Sequence, residues 1–170
     1  MTLRRRLTTV LVTAALGTLA AIAPTAPAMA DGSYWSWVNV NSGKCLGVGG
    51  GDMTNGTKIV QFDCINHPDQ QWSTVPTADG NYYHFRNKAN PNKCLGVPGG
   101  SQAAGVQLVI WDCLNHDDQF WSVLATGDGN GYAILNANSG LIIGVGAGST
   151  QNGAPVVQWS WEGHADQRWK

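Results

Sequence analysis

The chain has 170 residues, and its ten Lys and Arg nearly balance eleven Asp and Glu, for a formal net charge of −1. The basic residues form no run or patch beyond the N-terminus, which argues against a phosphate-backbone partner and so against nucleic acid. The length sets one domain.

Arg4, Arg5 and Arg6 open an apolar run, Leu7 to Ala23, and Ala28-x-Ala30 stands before Asp31. This order reads as a secretory signal peptide, residues 1–30, cut after Ala30. The run barely reaches the length that spans a bilayer, so an uncleaved anchor is the weaker alternative. Residues 31–170 keep seven Lys and Arg against the eleven acids, a formal charge of −4. No second apolar segment follows, so a soluble, secreted, extracellular product with no membrane partner is expected.

After the leader, Trp35 and Trp37 alternate with polar neighbours, the mark of a half-buried strand. "CLGV" at Cys45 is a second short strand, Asn55-Gly56 a hairpin turn, and "VQFDC" (Val60 to Cys64) a third strand. Then comes "HPDQQW", His67 to Trp72, whose Gln-x-Trp opens a fourth strand, and "ADGN" turns the chain. The series begins again. Tyr83 alternates with Phe85, "CLGV" returns at Cys94, "VIWDC" runs from Val109 to Cys113, and "HDDQFW" from His116 to Trp121. After "GDGN" it begins a third time, with Tyr132 and Ile134, "IIGV" at Ile142, Asn152-Gly153, "VQWSW" from Val157 to Trp161, and "HADQRW" from His164 to Trp169. The His-x-Asp-Gln-x-Trp stretches lie 49 and 48 residues apart.

Repetition at this period decides the architecture. Three copies, approximately 33–80, 81–129 and 130–170, of about four strands each give twelve strands and no helix. A propeller needs at least four blades. The fold class expected is therefore all-β, and the fit is a β-trefoil, a barrel closed by hairpin caps so that no sheet edge is left open. Trp72, Trp121 and Trp169 are expected in the core, and Gln70, Gln119 and Gln167 are expected to tie the chain reversals to backbone. Asn39, Asn87 and Asn136 also recur, as turn-forming side chains.

Four cysteines allow three pairings. The repeat favours Cys45–Cys64 and Cys94–Cys113, since both pairs lie 19 apart at the same two positions of a copy. The third copy has Ile142 and Trp161 there, where packing can replace a bond. A metal site is disfavoured because no C-x-x-C pair exists.

Three in-phase Gln-x-Trp repeats with paired cysteines at this spacing resemble the ricin B-chain-type β-trefoil lectins, bacterial sugar-binding modules among them. The resemblance covers residues 31–170 and implies carbohydrate binding, to galactose- or xylose-type glycans, by a non-catalytic monomer that needs no cofactor. It also implies one shallow pocket per repeat. The aromatic platform on which a sugar stacks falls on Phe62, Trp111 and Trp159. The polar residue before the Gln-x-Trp falls on Asp69, Asp118 and Asp166, and the Gln itself on Gln70, Gln119 and Gln167. The family's acidic position, two after the first cysteine, holds Gly47, Gly96 and Gly144 instead. Two expectations follow. Either the acid has moved to Asp69, Asp118 and Asp166 and the pocket is re-formed, or the pockets are vestigial and the Asp caps backbone.

His67, His116 and His164 are either sugar-facing donors beside these carboxylates or loop histidines bonded to backbone. A shared metal is disfavoured, because threefold symmetry separates them around a rim. No nucleophile motif accompanies the histidines, and one recurring acid per repeat does not make a glycosidase pair. The reading of another class is a trefoil that binds protein through its loops, such as a protease inhibitor. Such a protein has no need of an aromatic at one position in all three copies.

Overall fold

The computed structural model describes residues 33–170; the expected signal peptide lies outside the described residues. Among them are ten strands and six single 3₁₀ turns. The strands are β1 (Cys45–Val48), β2 (Ile59–Phe62), β3 (Trp72–Pro76), β4 (Tyr83–Asn87), β5 (Lys93–Gly96), β6 (Val109–Asp112), β7 (Trp121–Ala125), β8 (Tyr132–Asn136), β9 (Ile142–Val145) and β10 (Val156–Trp159).

Two of the twelve expected strands are too short to count. Trp35, Val38 and Asn39 stand where the first strand of repeat one was expected, and Trp169 and Lys170 where the last strand of repeat three was. They meet only through isolated bridges, Trp35 to Trp72, Asn39 to Trp169 and Tyr132 to Trp169. Val38 and Lys170 exchange both backbone hydrogen bonds at 2.9 Å, so the two ends of the described chain close the barrel. The register of the other barrel strands repeats this. β3 pairs with β4 and β7 with β8, each joining the end of one repeat to the start of the next. Three hairpins, β1–β2, β5–β6 and β9–β10, form the cap, and they touch one another through bridges such as Lys58–Val109 and Val60–Pro155. The fold is a β-trefoil.

The core is threefold as well. Trp72, Trp121 and Trp169 are fully buried, as expected of them. Each indole Nε1 donates to a carbonyl 26 residues earlier, Leu46, Leu95 and Ile143, at 2.9, 3.0 and 3.1 Å. A buried indole N–H without a partner costs free energy, so this bond fixes where each cap hairpin sits on the barrel. Trp37, Phe85 and Ile134 complete the centre. Both disulfides are those the repeat favours, Cys45–Cys64 and Cys94–Cys113. The packing expected of the third copy is half met. Ile142 is buried, but Trp161 remains 46% exposed, its ring under the Arg168 guanidinium at 5.7 Å.

Candidate carbohydrate site

The letters of Asp-Gln-x-Trp have separate tasks. A 3₁₀ turn, 68–70, 117–119 or 165–167, carries the Asp and Gln of each repeat. The Gln points inward and is 2% exposed in every copy. Gln70 donates to the Asp63 carbonyl at 2.8 Å and accepts from the Ile65 amide at 3.0 Å. Gln119 holds Asp112 and Leu114 in the same way, and Gln167 holds Ser160 and Glu162. Each Gln thus clamps the loop that follows its aromatic. The recurring Asn does more than shape its own turn. Asn87 Nδ2 donates to the Asp69 carbonyl at 2.8 Å, Asn136 to that of Asp118 at 3.0 Å, and Asn39 to that of Asp166 at 2.8 Å. The next repeat, or the first in the case of Asp166, holds the turn that presents the acid.

The Asp points the other way, into a cleft. In repeat one the cleft is about 250 Å³, floored by Gly47 and Val60 and walled by Phe62, His67 and Asp69. In repeat two it is about 320 Å³, with Gly96, Trp111, His116 and Asp118 in the same places. In repeat three it is about 520 Å³, with Gly144, Trp159, His164 and Asp166. Phe62, Trp111 and Trp159 are 42%, 41% and 42% exposed, three equal open faces. The structure therefore brings platform, acid, histidine and Gln together in each repeat.

The glycine at the family's acidic position has a steric reason. A Cβ on Gly47 would lie 3.2 Å from the Asp69 carboxylate and 3.1 Å from Gln70 Cγ. On Gly96 it would lie 3.0 Å from Gln119 Cγ, and on Gly144 3.1 Å from Gln167 Cγ and 3.5 Å from the Asp166 carboxylate. A side chain on any of the three floors would press first on the clamping Gln; the Asp69 carboxylate is as tight in repeat one, while those of Asp118 and Asp166, 3.7 and 3.5 Å away, would be in ordinary contact. Asp69 also accepts from the Val48 amide at 3.3 Å, a backbone-capping contact.

The histidines face carboxylates rather than backbone. His67 Nδ1 pairs with Asp69, His116 Nδ1 lies 4.0 Å from Asp118, and His164 Nδ1 lies 3.4 Å from Glu162. Burial pushes the Asp118 carboxyl above its ordinary value, because the charged form is partly desolvated.

Sequence reasoning missed two features. The first is Glu162, which lines the third cleft where Ile65 and Leu114 line the others. The signal was a charged residue at one apolar position of the repeat. The second is that two of the clefts, those of repeats two and one, borrow a brace from a neighbouring repeat's hairpin. Asn55 exchanges hydrogen bonds with Asp112 at 2.7 and 2.9 Å, and Asn152 with Asp63 at 2.7 and 2.9 Å. Lys93 and Lys44 bind the same two acids and, with those Asn, hold their carboxyls below the ordinary range. Gly56 lies against Trp111, and Gly105 against Trp159, where φ is +84° and an added Cβ would come within 3.2 Å of the ring.

A family model described as "Ricin-type beta-trefoil lectin domain-like" matches residues 25–111 and 117–170. The chain belongs to this family. The designed threefold-symmetric protein ThreeFoil is 31% identical with a TM-score of 0.76, over 81% of this chain and 96% of that one. The exo-β-1,3-galactanase 1,3Gal43A from Clostridium thermocellum is 33% identical with a TM-score of 0.77, over 84% of this chain but 30% of that one. The Macrolepiota procera ricin B-like lectin, solved in complex with lactose, is 25% identical with a TM-score of 0.68, over 82% of this chain and 94% of that one. A search of curated proteins found no match.

Proposed function

We propose that this ricin-type trefoil is an exported, non-catalytic lectin that holds oligo- or polysaccharide weakly through up to three clefts. The observation that carries the reading is the threefold recurrence of one arrangement, a half-exposed aromatic face opposite a partly desolvated carboxylate over a glycine floor. A pyranose has an apolar C–H face that stacks on an aromatic ring and hydroxyls that a few fixed polar groups orient. Asp69, Asp118 and Asp166 accept from hydroxyls with charge-assisted strength. Each Gln acts by holding the platform loop and closing the wall. The lactose complex of the Macrolepiota relative supports a galactose-type ligand, and xylose-type units fit the same chemistry. Two disulfides and the expected leader support an extracellular site of action.

Each cleft is shallow, so single-site affinity is low. A polymer that engages two or three clefts binds more tightly by effective concentration. Retention on immobilised polysaccharide tests the reading. Trp111→Ala or Trp159→Ala each weakens retention. The two together abolish it while circular dichroism and the melting temperature stay as in wild type, because both rings are exposed. Phe62→Ala has the smaller effect, since its ring is smaller. A wild-type protein that ignores every glycan offered overturns the sugar reading. Binding of protein through the loops, as in a protease inhibitor, then takes its place.

A further inference from the structure

We infer that the repeat-three cleft is selective for a glycan unit bearing a free amino group, an amino sugar in its ammonium form. The clefts of repeats one and two take neutral units. The inference rests on reading the clefts as sugar sites and names the ligand class of one of them.

The residue that follows the second cysteine position is Ile65 in repeat one, Leu114 in repeat two and Glu162 in repeat three. The first two are exposed and give their clefts an apolar rim. Glu162 puts a carboxylate on the rim instead, and it is fastened to the platform. Trp159 Nε1 donates to Glu162 Oε1 at 3.2 Å. The histidine changes partner with it. His67 and His116 face the Asp of their own repeats, whereas His164 faces Glu162 at 3.4 Å. Asp166 is thereby left without the histidine contact that Asp69 and Asp118 have. Two carboxylates line the third cleft, and no Lys or Arg does. Arg168, close in sequence, is turned away to Asp128 and to the Gly163 carbonyl.

These groups together are what an ammonium needs. It has three donors and no acceptor. The carboxylates accept from it, and the open face of Trp159 attracts it as a cation over a ring. A hydroxyl gains only a hydrogen bond from the same groups, and an N-acetyl group brings no charge. Among the described residues no three His, Cys, Asp or Glu side chains could hold a metal ion.

The test is a titration of the whole protein with glucosamine oligosaccharides and with the same oligosaccharides fully N-acetylated. It is read by calorimetry and by the indole N–H resonances of Trp111 and Trp159. Wild type binds the free-amine form about fivefold to tenfold more tightly, the size that one or two partly exposed ion pairs support. The shift falls on Trp159 first, and added salt reduces the preference. Glu162→Gln, whose amide oxygen can still accept from Trp159 Nε1, removes the preference, so that the two forms bind this variant equally. Leu114→Glu, at an exposed position, extends the preference to Trp111. Equal affinity for the two forms overturns the inference while the sugar reading stands. A preference that survives Glu162→Gln, or that falls on Trp111 in wild type, also overturns it. Binding of no glycan at all overturns both readings.

Discussion

Repeats two and three have the same barrel and different fastenings. Repeat two is closed by Cys94–Cys113, and its Asp112 is held by Lys93 and by Asn55 of repeat one. Repeat three has no disulfide, and Ser160 stands in place of that Asp. It also has Ala147 at a φ of 53° where repeat two has Gly99, a left-handed conformation that costs a side chain about 1 kcal/mol or more. Its cleft is about 520 Å³ against 320 Å³. Yet the inward side is unchanged. Trp121 and Trp169 make the same bond to Leu95 and Ile143, and Gln119 and Gln167 the same clamp. The trefoil is held by its inward residues. The outward fastenings are set one cleft at a time, and loosening them goes with a wider site.

The most direct way to break this comparison is in the core. Trp121→Ala and Trp169→Ala should each cost about 3–5 kcal/mol, since both remove a large, fully buried ring and orphan a carbonyl. Denaturant unfolding of the two variants measures this. A Trp169→Ala protein with a wild-type midpoint shows that repeat three is not held as repeat two is. The next effect is covalent. Replacing Cys94 and Cys113 by Ala should cost about 3 kcal/mol by loop-closure entropy and should leave the Trp159 indole resonance in place. A Trp159 resonance that moves as far as that of Trp111 means the clefts are not independently fastened. Non-reducing peptide maps of wild type should contain Cys45–Cys64 and Cys94–Cys113.

What could be read in the sequence was what three copies share. Self-similarity exposed the trefoil and the buried Trp, written at the same offset in all three copies, and the disulfide pairing, written at the same offset in two; the open aromatics came with the family resemblance. The first and last strands were expected, but their shrinking to isolated bridges was not legible. They are made of two distant segments, Trp35 to Asn39 and Trp169 to Lys170, that pair only when the barrel closes. The brace between Asn55 and Asp112 escaped because it joins neighbouring copies rather than positions within one. Glu162 escaped for the opposite reason: one copy departs from the pattern, and a search for agreement passes over departures. The histidines were the open case, and their partners required coordinates, since a carboxylate two residues away and a backbone group are equally near in sequence.

The smallest effect sharpens the comparison by pH. Burial holds the Asp118 carboxyl above the ordinary value of 3.8, with His116 at 4.0 Å a weaker opposing influence. A carboxyl whose folded pKa is raised binds its proton more tightly in the folded state. Its charge therefore costs stability at neutral pH, and the cost fades as pH falls through the folded pKa towards the unfolded one. Asp118→Asn should stabilise the protein near neutral pH by no more than about 0.5 kcal/mol, because solvent screens a group this exposed. The gain should vanish below pH 3.8. Binding runs the other way. If Asp118 accepts from sugar hydroxyls, Asp118→Asn weakens the repeat-two cleft at neutral pH, and the wild-type cleft loses affinity on acidification before pH 3.8 is reached. Unfolding midpoints at the two pH values, beside a glycan titration followed at the Trp111 indole, separate the two effects. A variant that is less stable at neutral pH and binds as wild type does would make Asp118 a structural cap, and would leave the cleft to its aromatic ring.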